Sequence, residues 1–173
     1  KASLPNYSAD EAAIEASEAA IAAFVSRFAV DTGSERVHLI AHSMGNRGLL
    51  RALQRLASRA EQESHLRLGQ IFVVAPDIDA DVFRSLAHLY SSCSIRTTLY
   101  ASSADIAVRT SGVLHGYPRA GFIPPVTIAH GIDTIEVPRF NLLDLGHSYY
   151  AEAGPVLHDM FDLIRNDAPP RSR

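Results

Sequence analysis

Ser43 stands in the pentapeptide Ala41-His42-Ser43-Met44-Gly45. Small residues, Ala41 and Gly45, lie two positions away on either side. That spacing suits a tight turn between a strand and a helix, where larger side chains would clash. Such a turn lifts the serine hydroxyl to the head of a sheet. It also aims the N–H of Met44 at the place where an oxyanion would form. The chemistry this permits is nucleophilic acyl transfer. The plainer reading makes Ser43 only the N-cap of the helix that follows. A strand pattern before it and a helix pattern after it favour the nucleophile.

A serine hydroxyl is a poor nucleophile until a base takes its proton. His147, in Asp144-Leu-Gly-His147-Ser, is the histidine of the loop beyond the last strand. Gly146 leaves that loop free to turn the imidazole toward the serine. A surface histidine is its plainer reading. Two acids compete to hold the imidazole in the right tautomer: Asp105 after the third strand and Asp77 after the second. Asp77 and Asp79 also suit capping of the helix around Val82 and Phe83, and Asp105 could cap the segment after it. Capping explains Asp77 more fully, so Asp105 is the preferred acid and Asp77 the alternative. His42, beside the serine, either touches substrate or packs.

These residues need a scaffold, and apolar periodicity supplies one. A long amphipathic helix is predicted over 8–30, started by the S-x-x-E pair Ser8 and Glu11. Ile14, Ile21, Phe24, Val25 and Phe28 form its apolar stripe. Val37 to Ala41 reads as a strand, and Leu49, Leu50, Leu53 and Leu56 mark a second helix. Ile71 to Ala75 is an unbroken apolar strand stopped by Pro76. Val82, Phe83, Leu86 and Leu89 suggest one further helix. Thr97 to Ala101 and Thr134 to Val137 are strands. Val156, Leu157, Met160, Phe161 and Ile164 mark a last helix, with Pro155 tolerated near its start. Glycines and prolines break up 103–133, which reads as mostly loop with one short helix. Strands alternating with helices predict an α/β fold, a parallel sheet with helices on both faces, and active residues at the carboxyl ends of its strands.

The bulk composition narrows the function classes. A chain of 173 residues with 47% hydrophobic and 20% charged residues is ordinary for one globular domain. A net charge of −3 argues against a nucleic-acid partner. No apolar run has the length of a membrane span. The single cysteine, Cys93, fits a reducing compartment and leaves cytoplasmic placement compatible, with localisation itself open. It reads as a small residue near a strand. Asp77-x-Asp79-x-Asp81 resembles the start of a calcium loop, but Val82 and His88 stand where that loop needs Gly and Glu, so no metal is expected. His115, Tyr117 and Arg119 lie in the irregular stretch that could cover the site, with Arg119 read as a solvated surface residue.

Ser43 on its turn, Asp105 after the next-to-last strand and His147 after the last resemble the α/β-hydrolase superfamily. Leu39-Ile-Ala-His-Ser-Met-Gly-Asn46, Ala75-Pro-Asp-Ile-Asp79 and Gly146-His-Ser-Tyr-Tyr150 resemble, more narrowly, a bacterial esterase/lipase-like branch known as a family without an assigned activity. The resemblance covers nearly the whole chain. It implies hydrolysis of an ester, thioester or amide through an acyl-enzyme, and the reading adopted is a serine esterase or lipase acting on a small-molecule ester-like substrate without a cofactor. Ser43 is then the nucleophile, Asp105 the acid, His147 the base and Met44 the oxyanion donor. The usual G-x-S-x-G pattern has glycine where this chain has Ala41.

Only the last four strands of the superfamily's longer sheet find a match, and the chain begins with Lys1. Residues 1–167 therefore read as a partial α/β-hydrolase domain lacking its N-terminal strands, and 168–173 as a disordered tail. The early loop that donates a second oxyanion N–H finds no match, and losing one donor costs roughly 10²–10³ in turnover. The alternative function is a catalytically inactive binding or scaffolding module on the same fold. The strand at 37–41 lacks a neighbour on one edge, which predicts pairing of two copies edge to edge.

Overall fold

An all-apolar run of β-branched and aromatic residues makes the second strand the centre of the molecule. The computed structural model describes residues 4–34, 36–59, 68–137 and 154–168. Four strands, β1 (Leu39–His42), β2 (Leu68–Val74), β3 (Ser94–Ala101) and β4 (Ile132–Glu136), form one parallel sheet in sequence order. Every residue of β2 is buried, because both faces of the sheet are covered. Ile71 and Val73 enter one core, with Val25 of α1 (Leu4–Asp31), Leu49, Leu50 and Leu53 of α2 (Gly45–Arg59), Phe83 of α3 (Ala80–Leu86) and Tyr90 of α4 (His88–Cys93). Phe72 and Val74 enter the other, with Val108 of α5 (Ile106–His115) and Val156, Met160 and Leu163 of α6 (Gly154–Asn166). The two-residue period of a strand is what sorts neighbouring side chains between two cores.

The helices depart from expectation in three places. The first begins at Leu4 rather than at Ser8, so the capping pair is overrun. Pro5 is tolerated in the first turn, whose N–H groups have no helical partner. Of the expected stripe, Ile21 and Val25 face the core with Ala22, while Phe24 and Phe28 are exposed and lie against each other at 5.4 Å. The helix crosses α2 closely at Gly48, where a Cβ would come within 2.8 Å of Ile21. That crossing selects the small and aliphatic positions of α1 and leaves the two rings outside. The single helix expected around Val82 is two, divided at Ala87, whose N–H returns to the Arg84 carbonyl at 3.4 Å. This step spans three residues instead of four and tightens the turn. Of the predicted tail only Ala168 is described; residues 169–173 lie outside the described residues.

The carboxyl ends of the strands are tied together by segment 118–122. Its Gly121 N–H donates to the Pro76 carbonyl at 3.0 Å, and its carbonyl accepts the Ser102 N–H at 3.0 Å. A Cβ on Gly121 would sit 2.5 Å from the Ala75 carbonyl carbon and 2.6 Å from the Pro76 nitrogen. Both are backbone atoms that cannot rotate away. Gly121→Ala is therefore expected to destabilise the fold by about 1–3 kcal/mol or more, read as a fall in urea midpoint at unchanged m-value.

On the outer side of the sheet, β1 pairs with β2 alone among the described residues. Its Ile40, on the same face as Phe72, is 64% exposed. No described helix is long and apolar enough to cross a membrane.

Candidate functional site

The turn between β1 and α2 is held open by a strained residue. Ser43 has φ +51°, a left-handed conformation that a non-glycine residue adopts at a cost of about 1–3 kcal/mol. Its own backbone groups are both engaged. The Ser43 N–H donates to the Val74 carbonyl at 3.0 Å. The Ser43 carbonyl accepts from the Asn46 N–H at 3.1 Å, the Asn46 side-chain amide at 3.2 Å and the Asp77 N–H at 3.4 Å. The same Asn46 amide reaches the Val74 carbonyl at 3.1 Å. Met44 follows at the N-terminus of α2, where backbone N–H groups lack helical acceptors.

Strand alternation turns His42 away from the α1–α2 side of the sheet and onto the face shared with Val74. Burial lowers its pKa, and the Asp105 charge opposes that shift. Its Nε2 is buried without a hydrogen-bond partner among the described residues. Asp105 lies at the end of β3, almost wholly buried, and caps α5 by accepting the Val108 N–H at 3.0 Å. Burial raises its carboxyl pKa, against the pull of the Val108 and Ala107 N–H groups and of His42.

Asp77 has a different life from the one its spacing suggested. The cap of α3 is Asp79, which accepts the N–H groups of Asp81 and Val82 at 2.9 and 3.0 Å. Asp77 instead sits at the centre of a buried polar cluster. Its carboxylate lies 3.2 Å from Arg119 Nε, accepts the Ser111 hydroxyl at 2.6 Å and accepts the Tyr7 hydroxyl. Its carbonyl accepts Arg47 Nε at 2.6 Å. Arg47 also pairs with Glu11, which pairs in turn with His115 at 3.1 Å. Arg119, expected at the surface, is 5% exposed, because it is the counter-charge of Asp77. Burial and the bond to Asp77 push the Tyr7 pKa up to about 12, so the hydroxyl stays a donor.

The fold thus gathers Ser43, Met44, His42, Asp77 and Asp105 at the carboxyl ends of three adjacent parallel strands. His147 lies outside the described residues. Tyr117 is exposed, beyond the end of α5. Cys93 is partly buried, and burial lifts its thiol pKa to about 11, which suits a packing residue rather than a thiolate. No group of side chains among the described residues is arranged to hold a metal ion.

Asn46, Arg47 and Tyr7 join the site without any motif spacing that marks them in the sequence. Asn46 has one local sign, since it lies three, four and seven residues before Leu49, Leu50 and Leu53 and so falls on their inward stripe, although its partners are not legible there. Tyr7 meets Asp77 across 70 residues of sequence and left no local sign.

A family model described as an alpha/beta hydrolase of unknown function (DUF900) matches residues 1–166. No curated protein and no solved structure matches.

Proposed function

Since the chain belongs to this alpha/beta hydrolase family, we propose that it is a serine hydrolase of esterase or lipase type, with Ser43 as its nucleophile. The observation that carries the reading is the strained φ of +51° at Ser43, on a turn from a parallel strand into a helix. Backbone strain of this kind persists where the surrounding structure holds it, and clusters at reactive sites.

The mechanism follows from roles. The Ser43 hydroxyl attacks an acyl carbonyl carbon while His147 takes its proton. The carbonyl oxygen becomes an oxyanion that accepts the Met44 N–H. His147 returns the proton to the leaving alcohol as the tetrahedral intermediate collapses to the acyl-enzyme. Water, deprotonated by the same imidazole, then releases the acid and restores Ser43. Asp105, charged and poor in solvent, holds the imidazole tautomer and stabilises the imidazolium. Asp77 is less suited to that role, because its carboxylate is already committed to Arg119, Ser111 and Tyr7. His42 is assigned to substrate contact, and the substrate class is a small ester-like molecule. The test is labelling of the natural-length protein by a fluorophosphonate, followed by peptide mapping to Ser43.

The same reading includes pairing of two copies through β1. The pairing of β1 with β2 alone among the described residues and the exposed Ile40 are the supporting features. Sedimentation across a range of concentrations should then show a dimer. A strict monomer at high micromolar concentration, with the amides of 39–42 protected from exchange, would falsify the pairing.

A further inference from the structure

The peptide that joins Ser43 to Met44 is planar and carries both the Ser43 carbonyl and the Met44 N–H, pointing in opposite directions. Whatever fixes the carbonyl therefore aims the N–H. Asn46 reaches that carbonyl twice, through its backbone N–H at 3.1 Å and its side-chain amide at 3.2 Å. The side-chain amide also holds the Val74 carbonyl, at 3.1 Å, and that carbonyl is the acceptor for the Ser43 N–H at 3.0 Å. One buried amide thus spans the acceptors on both sides of the strained residue, and so restrains its φ and its ψ together.

We infer that Asn46 is a positioning residue, which aims the Met44 N–H at the oxyanion by gripping the Ser43 carbonyl; this rests on the reading of Ser43 as the nucleophile. Two features set Asn46 apart from a packing residue. It is completely buried in a helix whose neighbouring inward positions are Leu49, Leu50 and Leu53. Its Oδ1 is also buried without a partner among the described residues. An aliphatic side chain would remove that unsatisfied acceptor, whereas only a donor can hold two carbonyls. The third bond to the Ser43 carbonyl, from the Asp77 N–H at 3.4 Å, belongs to a loop that Arg47 pins by its bond to the Asp77 carbonyl. The turn is therefore braced from the helix side and from the loop side.

The experiment uses the natural-length protein, a short nitrophenyl ester and a fluorophosphonate, with Asn46→Ala, Asn46→Ser, Ser43→Ala and the core control Leu53→Ala. Asn46→Ala should lower kcat and the labelling rate about 10–100-fold with KM nearly unchanged, the signature of a misdirected transition-state donor. Leu53→Ala, compared at equal fraction folded, should keep kcat. An Asn46→Ala enzyme with wild-type kcat, or a fall in kcat matched by Leu53→Ala, overturns the inference and leaves the serine hydrolase standing. If Asn46→Ala does not fold, Asn46→Ser is read by the same criteria. Failure of both to fold assigns the residue to stability alone and also overturns the inference. Wild-type protein that takes no label, or label that survives Ser43→Ala, overturns the nucleophile reading and this inference with it.

Discussion

Ser43→Ala is expected to remove fluorophosphonate labelling altogether and to cut ester turnover on the order of 10⁶-fold, the scale seen when a serine hydrolase loses its nucleophile. The fluorophosphonate forms a P–O bond to the serine oxygen and releases fluoride, so the label reports the hydroxyl directly. The substitution removes one oxygen from a half-buried position and leaves the backbone grip on residue 43 in place. Alanine at φ +51° is strained much as serine is, so Tm should move little. Turnover and stability are thereby separated. Retained labelling in the variant would remove Ser43 from the chemistry, and the peptide map would point to the residue that takes its place.

Asp105→Asn and Asp77→Asn should fail in opposite ways. Burial raises the Asp105 carboxyl pKa. A carboxyl whose pKa is raised by folding costs stability while it is ionised. That cost is present at neutral pH and is relieved as pH falls through its folded-state pKa. Asp105→Asn removes the charge and keeps an oxygen to accept the Val108 N–H, so Tm at pH 7 should hold or rise. Turnover should nevertheless fall by up to ~10⁴-fold, as expected when the imidazole takes the wrong tautomer.

Asp77→Asn instead strips the counter-charge from Arg119, with both side chains at least 96% buried. Leaving that guanidinium unpaired should cost about 3–5 kcal/mol. In a chain of this size that is a fall in Tm of about 6–20 °C. Thermal melts and kcat measured on the same preparations decide the matter. If Asp77→Asn stays folded and loses far more turnover than Asp105→Asn, the acid has been misassigned.

The two acids also mark how far a sequence reading reaches. Both follow strands and both stand near helix starts, so spacing alone left them competing. Capping does not separate them in favour of Asp105, since Asp79 takes that role for α3 and Asp105 itself caps α5. What separates them is company. Asp77 meets Tyr7, 70 residues before it, and Ser111 and Arg119 from one stretch well after it. Asp105 shares its field with His42.

The amino-acid sequence by itself determined the parallel α/β architecture, the run of four strands and the strand-to-helix turn at Ser43. These are encoded locally, in apolar periods of two and of three to four residues and in small residues about a turn. Tertiary structure alone decided which polar groups became buried partners. The Arg119 guanidinium left the solvent because the Asp77 carboxylate neutralises it. Phe24 and Phe28 were left outside because the close crossing at Gly48 chose the other positions of α1. Asn46 acquired its place because the end of β2 brings the Val74 carbonyl beside the Ser43 turn. Each of these depends on contacts between residues far apart in sequence, and a buried charge or amide is tolerated only where such a contact satisfies it.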